Sequence, residues 1–213
     1  MAKASSPAAR AEAIPIETGT ELDGVGVGSA GATLLAKSGR RLGTFDLVVD
    51  ATGARSPLKR HAAQPSEPKP LQYGAFWASL DWRGAGFDPH ALLQRYKRAS
   101  VMIGVLPIGR PAPAASDMAA FFWSLKPADA DAVRAAGIDV WKEQVAGLWP
   151  ECAGYLAQID SFDQLSLARY GHHTLVPPAG PRLAVIGDAA HSTSPQLGQG
   201  ANMALLDARG LAN

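Results

Sequence analysis

The 213-residue sequence has only one cysteine, Cys152, which excludes intrachain disulfide bonds and thiolate metal clusters. Lysine and arginine (20) nearly balance aspartate and glutamate (19), so the net charge of +1 gives no electrostatic reason to expect a nucleic acid or a membrane as partner. The longest apolar run, near Val101–Ile108, is interrupted by Gly104 and Pro107 and is too short to span a bilayer. The N-terminus lacks the apolar segment of a secretory signal. We therefore expect a cytoplasmic protein that contacts neither nucleic acid nor membrane.

Sequence patterns typical of metal-dependent or nucleophilic catalysis are also missing. The chain contains no H-x-E, H-E-x-x-H or C-x-x-C spacing and no G-x-S-x-G elbow. His172 and His173 are adjacent and would point to opposite sides of a strand, which is a poor arrangement for binding one metal ion. We expect no metal site, and we assign no catalytic side chain.

The most informative segment is the last part of the chain, Arg182–Asn213. An apolar run, Leu183–Ile186, ends in Gly187 and Asp188, and a glycine-rich loop then leads to a helical pattern from about Asn202. Such a run is typical of a buried parallel strand, and ligands of α/β sheets bind at the carboxyl ends of these strands. A carboxylate there can accept hydrogen bonds from sugar hydroxyls, and a helix start offers free N–H groups and a positive dipole end.

A second apolar run, Phe45–Val49, predicts another buried strand. It leads into a polar turn, Asp50-Ala51-Thr52-Gly53-Ala54-Arg55-Ser56, in which Arg55 could either contact a phosphate or cap the turn.

The stretch Gly26–Gly31 satisfies G-x-G-x-x-G, the pattern of a dinucleotide-binding loop. However, no apolar strand precedes it, and the following segment, Ala32–Lys37, is too short for the phosphate-facing helix of a dinucleotide fold. We interpret the region as a β-hairpin whose second arm, near Arg41–Leu42, runs on toward the second apolar run.

Residues 187–208 follow the pattern G-D-A-A-H-x₃-P-x₂-G-Q-G-x-N-x-A-x₂-D-A. This pattern resembles the second FAD-binding motif of the class A flavoprotein monooxygenases, the para-hydroxybenzoate hydroxylase-like family. Residues 50–56 resemble the other motif of the family, G-A-D-G-x-x-S, but with Asp50 in place of Gly and Thr52 in place of Asp. The resemblance implies that these residues bind the cofactor: Thr52, Gly53, Arg55, Gly187, Asp188, Pro195, Gly198, Gln199, Gly200, Ala201 and Asn202.

The resemblance further implies an NAD(P)H-dependent monooxygenase that contains FAD and uses O₂ to hydroxylate a hydrophobic or aromatic small molecule. The cofactor would carry most of the chemistry, so no side chain is required as nucleophile. Two alternatives remain open. The chain could be a non-catalytic, truncated remnant of the family, or a related FAD-dependent reductase, dehydrogenase or halogenase. The substrate, the choice between NADH and NADPH, the oligomeric state, and whether these 213 residues alone hold FAD stay open.

Between the two motifs the hydrophobic pattern of the sequence changes to alternation of apolar residues. Three alternating apolar runs, Ala75–Trp82, Val101–Pro107 and Phe121–Leu125, predict an antiparallel sheet with one buried face. The segment Ala128–Gly147 has a helical composition that is broken near Gly137. Nine of the fifteen aromatic residues lie between positions 73 and 123, either lining a substrate pocket or packing the sheet against its helices.

We therefore predict an α/β fold with some α+β character. A partial FAD-binding parallel-sheet domain would comprise residues 1–63 and 171–213, and an inserted antiparallel sheet with helices, residues 64–170, would bind the substrate. The segment Ala8–Ala13 has the composition of a helix end. By the resemblance, the chain would be the central portion of a longer enzyme, without the N-terminal G-x-G-x-x-G unit.

Overall fold

The computed structural model describes residues 14–112, 115–195 and 198–213, so the helix end expected at Ala8–Ala13 lies outside the described residues. The chain forms two compact units. The discontinuous unit comprises residues 1–69 and 171–213, and the central unit comprises residues 70–170. Within the described ranges, no helix has the length and apolar character that crossing a membrane requires.

The discontinuous unit begins with three antiparallel strands, β1 (Leu22–Gly28), β2 (Gly31–Ala36) and β3 (Arg41–Phe45). The turn between β1 and β2 requires glycine at position 31. Its φ is +143°, and an added Cβ would lie only 2.7 Å from the carbonyl oxygen at the end of β3. The hairpin interpretation of Gly26–Gly31 is confirmed, because this stretch forms two paired strands and no helix.

A second small sheet follows, with the order β10 (Ala179–Gly180), β11 (Leu183–Val185) and β4 (Val48–Asp50). β11 is parallel to β4, as the buried run near residue 183 predicts. The strand predicted over Phe45–Val49 is wrong in its extent, since pairing begins only at Val48. Three of its five side chains are exposed to nearly half of their area: Phe45 (45%), Leu47 (49%) and Val49 (44%). The core of this unit consists of Val25, Ala32, Val48, Leu58, Ala62, Leu175, Leu183, Val185, Ala189 and Ala190.

The last helix of the chain, α4, spans Gly200–Ala212 and therefore begins two residues before the predicted start at Asn202.

The central unit contains a five-stranded sheet with the order β6-β7-β8-β5-β9. Its strands are β5 (Lys69–Asp81), β6 (Leu93–Lys97), β7 (Val101–Gly109), β8 (Met118–Leu125) and β9 (Ser166–His172). The pairs β6–β7, β7–β8 and β5–β8 are antiparallel, which confirms the prediction from the alternating runs.

Three helices, α1 (Ala130–Ala136), α2 (Ile138–Leu148) and α3 (Ala153–Leu156), pack with one face of this sheet. Gly137, with φ of +97°, separates α1 from α2, which confirms the predicted break. The ring of Trp141 on α2 packs edge to face against two aromatic rings of the sheet. Its centroid lies 6.2 Å from that of Phe121 and 6.1 Å from that of Trp123.

The opposite face of the sheet is constrained by a glycine. The ring of Phe122 on β8 lies over Gly104 on the neighbouring strand β7, and a Cβ added at Gly104 would be 1.9 Å from Cζ of that ring. Phe122 is only 4% exposed, so its ring has little room to move away. Gly104 therefore permits a large aromatic side chain on the adjacent strand.

We predict that Gly104→Ala destabilises the central unit by about 1–3 kcal/mol, because the new methyl group overpacks the site. Urea unfolding followed by tryptophan fluorescence would measure this unit alone, since all five tryptophans, at positions 77, 82, 123, 141 and 149, lie within it. Gly147→Ala is the control. Gly147 is exposed at the end of α2 with no atom near its added Cβ, so alanine should leave stability unchanged or raise it by up to about 1 kcal/mol. Equal midpoints for the two variants would contradict the prediction.

Candidate functional site

Both sequence motifs begin at the same edge of the small sheet. Asp50, the last residue of β4, lies opposite Val185, the last residue of β11. The N–H of Ile186 then donates to the carbonyl oxygen of Asp50 at 2.9 Å. Because the two strands are parallel, the first turn (residues 50–56) and the second turn (residues 187–191) both start at the carboxyl edge, where α/β sheets bind their ligands.

The first turn is fastened by the buried carboxylate of Asp50, which is 0% exposed. Its Oδ1 accepts hydrogen bonds from the N–H of Thr52 at 3.0 Å and from the Thr52 hydroxyl at 2.6 Å, and its Oδ2 accepts from the Ser56 hydroxyl. Gly53 takes a left-handed conformation with φ of +86°. The Thr52 hydroxyl therefore helps to hold the turn by its hydrogen bond to Asp50. Arg55 is exposed and makes no hydrogen bond or ion pair within the described part of the chain.

The second turn is held by an aspartate that the sequence analysis did not single out. The N–H of Gly187 donates to Oδ2 of Asp207 at 2.7 Å, and Nε2 of His191 lies 2.5 Å from the same oxygen. Gly187 has φ of +60°, and an added Cβ would lie 3.1 Å from the Cβ of Ala204. A side chain at position 187 would thus separate the turn from α4.

Helical spacing is the pattern that could have identified Asp207. Gly200, Ala204 and Asp207 occupy positions i, i+4 and i+7, which form one face of a helix. All three face the second turn, since Ala204 and Asp207 contact or bond Gly187, and the Cβ position of Gly200 lies 3.6 Å from Oδ1 of Asp188. This face of α4 therefore packs against the turn.

Asp188 differs from the other two aspartates because its carboxylate is exposed. It lies beside the first residue of α4, a 13-residue helix whose first turn contains no acidic residue. The positive end of the helix dipole favours an ionised carboxylate or another anion at this place. Gly200 leaves the space next to Asp188 free of a side chain, so a ligand can approach the backbone closely.

A buried histidine fixes the remainder of the second motif. His173, 4% exposed, bonds the carbonyl oxygen of Ala189 through Nε2 at 3.0 Å and the Ser192 hydroxyl through Nδ1 at 2.6 Å. A carbonyl oxygen only accepts, so Nε2 carries a proton. The neighbouring His172 is exposed. In the described ranges, no group of three or more histidine, cysteine, aspartate or glutamate side chains is placed to hold a metal ion.

The remaining predicted residues lie along the loop and the first turn of α4. Pro195, Gly198, Gln199, Ala201 and Asn202 are all exposed. Gly198 has φ of +62°, which a non-glycine residue rarely adopts. The Asn202 side chain donates to the Gln199 side chain at 3.3 Å. These five residues are therefore open to solvent, and Gly200, which follows Gln199, lies next to Asp188.

The chain matches a known protein family, and its fold is similar to those of several solved structures. Residues 7–213 match the family described as FAD binding domain. The fold is similar to that of PqsL of Pseudomonas aeruginosa, solved in complex with 2-aminobenzoylacetate, with 20% identity over 91% of this chain and 52% of PqsL and a TM-score of 0.69. It is also similar to 2,6-dihydroxypyridine-3-hydroxylase from Arthrobacter nicotinovorans, with 19% identity over 94% of this chain and 57% of that one and a TM-score of 0.69.

A third similar structure is HpxO of Klebsiella pneumoniae, solved with FAD and uric acid, with 18% identity over 88% of this chain and 46% of HpxO and a TM-score of 0.64. The chain therefore spans about half the length of these proteins. At such identities the likeness establishes the shared α/β fold.

We predict that Asp207→Ala loosens the second turn, because the Gly187 N–H and the His191 ring lose their acceptor. A buried donor without an acceptor costs about 1–3 kcal/mol. Amide exchange over residues 187–191, measured by mass spectrometry, should accelerate about 5- to 150-fold. Asp207→Asn keeps one carbonyl oxygen and should show a smaller increase. Exchange unchanged in Asp207→Ala would show that the turn is held by other contacts.

Proposed function

The chain belongs to the FAD binding domain family, and on this premise we propose that it binds FAD at the edge shared by β4 and β11 and serves an NAD(P)H-dependent monooxygenase that hydroxylates a hydrophobic or aromatic small molecule. The observation that carries the proposal is the convergence of both turns on one edge, with the exposed Asp188 beside the start of α4. This arrangement offers a hydroxyl acceptor, an accessible backbone and a positive helix end together.

Charge assigns the parts of the cofactor to the two turns. Asp188 is negatively charged, so it would repel the pyrophosphate and suits the sugar or ribityl hydroxyls. Arg55 is exposed and unpaired within the described residues, and its guanidinium can bond a phosphate in two places. The proposed FAD-binding residues are those expected from the resemblance: Thr52, Gly53, Arg55, Gly187, Asp188, Pro195, Gly198, Gln199, Gly200, Ala201 and Asn202.

The start of α4 adds an electrostatic contribution. The N–H groups of its first turn and its dipole stabilise negative charge on a neighbouring group by about 0.3–1 kcal/mol, and by up to about 2 kcal/mol where the site is partly buried. Glycines at positions 198 and 200 leave the approach to these N–H groups open. The helix start would therefore favour binding of an electron-rich edge of the cofactor.

When bound, FAD would supply the redox chemistry, taking electrons from NAD(P)H and passing them to O₂. The side chains at the site are consistent with redox chemistry carried by FAD, since Asp50, Asp207 and His173 all form hydrogen bonds with backbone groups. They position the two turns and leave the reaction to the cofactor. The buried free thiol of Cys152, whose pKa burial raises to about 12, is compatible with the reducing cytoplasm that we propose as its location.

We predict that Asp188→Ala weakens FAD binding about 10- to 150-fold. A hydrogen bond to a charged carboxylate is worth about 1.5–3 kcal/mol, and that contribution is lost. Titration of FAD into the full-length protein, followed by quenching of flavin fluorescence, would give the dissociation constants. Asp46→Ala is the matched control, because Asp46 is an exposed carboxylate of the same unit whose ion pair with Arg182 is long, at 4.0 Å. Equal weakening in both variants would refute a specific role for Asp188.

We also expect oxygenation to accompany reduction. With FAD supplied, the protein should oxidise NADPH or NADH when phenolic or heteroaromatic compounds are added, and the product should carry one atom from ¹⁸O₂ by mass spectrometry. Flavin reduction without label in any product would move the assignment to a reductase or dehydrogenase. No reduction at all would favour the non-catalytic alternative. Thr52, a neutral residue where the resembled motif has an acid, makes this experiment necessary.

A further inference from the structure

The imidazole of His173 is buried between two segments of the discontinuous unit, with 4% of the residue exposed. The N–H of His173 donates to the carbonyl oxygen of Ser192 at 3.2 Å, and the N–H of Leu175 donates to that of Ala190 at 2.8 Å. These backbone bonds hold the segment after β9 alongside the end of the second turn. The ring therefore stays in place whichever of its nitrogens carry protons.

Three hydrogen-bond contacts involve this ring or its hydroxyl partner. Nε2 lies 3.0 Å from the carbonyl oxygen of Ala189, and Nδ1 lies 2.6 Å from the hydroxyl oxygen of Ser192. The same hydroxyl lies 3.0 Å from the carbonyl oxygen of Gly171, near the end of β9. Both carbonyl oxygens only accept, and the hydroxyl has a single proton to donate.

A neutral imidazole cannot make all three bonds. If Nε2 carries the proton, Nδ1 accepts from Ser192, and the hydroxyl then has no proton left for Gly171. If Nδ1 carries the proton, the lone pair of Nε2 faces the carbonyl oxygen of Ala189. The imidazolium, with a proton on each nitrogen, gives each of the three acceptors a donor. The separation of 2.6 Å at Nδ1 is also short for a bond between neutral groups, as charge-assisted hydrogen bonds are.

The titratable side chains of the two elements that contact the ring, β9 and the second turn, are engaged elsewhere or exposed. His191 bonds Asp207 of α4, and Tyr170 bonds Trp77. The others are exposed: Arg169, His172 and Asp188. Within the described residues, none of these side chains forms a hydrogen bond or ion pair with His173. Hydroxyl and carbonyl groups are therefore the partners of the charged ring.

We propose that His173 is a proton-dependent positioning residue for the second turn. With a proton on both nitrogens, the ring holds Ala189 of the turn and, through Ser192, Gly171 of β9. When the proton on Nδ1 leaves for solvent, the Ser192 hydroxyl turns to donate to Nδ1, and its bond to Gly171 is lost. The turn is then held less firmly at the edge where Asp188 lies, so FAD binds more weakly as the pH rises through the titration of His173. The coupling to FAD rests on the proposed function, whereas the proton state of the ring does not.

NMR of the full-length protein labelled with ¹⁵N-histidine tests the proton state. At about pH 6 both nitrogens of the His173 ring should carry a proton, and towards about pH 8 the proton on Nδ1 should be lost while that on Nε2 remains. His173→Gln identifies the signal; should that variant fail to fold, the shift caused by Ser192→Ala identifies it instead. Ser192→Ala removes the acceptor of the Nδ1 proton, so the doubly protonated ring should give way to the neutral ring at a lower pH than in the wild-type protein.

FAD titration at the same two pH values tests the coupling to the cofactor. Relative to His173→Gln, the wild-type protein should bind FAD about 2- to 10-fold more tightly at about pH 6 than at about pH 8, the value of one hydrogen bond. Glutamine keeps an amide donor for the carbonyl oxygen of Ala189 but does not titrate. His172→Gln is the matched control, because His172 is the exposed neighbour of His173, and this variant should retain the wild-type pH dependence.

Three results would overturn the proposal: a His173 ring with a single proton already at about pH 6, a doubly protonated ring that Ser192→Ala does not affect, or the wild-type pH dependence of FAD affinity in His173→Gln. Failure of the proposed function is distinguishable, because FAD would then bind at neither pH. The NMR measurements would still decide whether His173 and Ser192 form a proton-dependent pair.

Discussion

The site depends on the parallel pairing of β4 with β11. Asp50 and Val185 are far apart in the sequence, and the whole central unit lies between them, yet their pairing and the Ile186–Asp50 hydrogen bond bring two strand ends to one edge. Closing so long a loop costs conformational entropy, which the burial of Val48, Leu183 and Val185 offsets. If this register slipped by one residue, the buried and exposed positions of β4 would exchange, and the two turns would no longer start side by side.

Three aspartates at this edge have different roles because they have different surroundings. Asp50 is buried and satisfied by a backbone N–H and two hydroxyls, so it fixes the first turn. Asp207 accepts from one backbone N–H and one imidazole, so it fixes the second turn against α4. Asp188 is the most exposed of the three, and so it is the carboxylate that a ligand can reach most readily. An engaged carboxylate holds the loop, and an exposed one beside a helix start is available for binding.

Local patterns in the sequence were sufficient for part of the structure. Period-2 alternation indicated the central sheet, and the missing apolar strand before Gly26–Gly31 showed that this G-x-G-x-x-G stretch forms a hairpin. The extent of β4 was wrong, because hydrophobicity alone cannot show that Phe45 ends β3 while Val48 begins a new pairing. Asp207 and His173 were missed as anchors because their partners lie 16 to 20 residues away. Contacts of this kind depend on how the helix and loop pack, which periodicity does not determine.

The aromatic residues of the central unit show the same limit. Their number between positions 73 and 123 was compatible with both a packed core and a ligand surface, and strand register shows which of the rings pack in the core. Phe76, Phe121 and Trp123 occupy the face that packs against Trp141, while Trp77 and Phe122, one residue away along the same strands, occupy the other. Successive side chains of a strand alternate between faces, so neighbouring rings lie in different surroundings. Gly104 leaves space for the Phe122 ring, which packs against the ring of Trp77. Any larger residue at position 104 would displace the Phe122 ring.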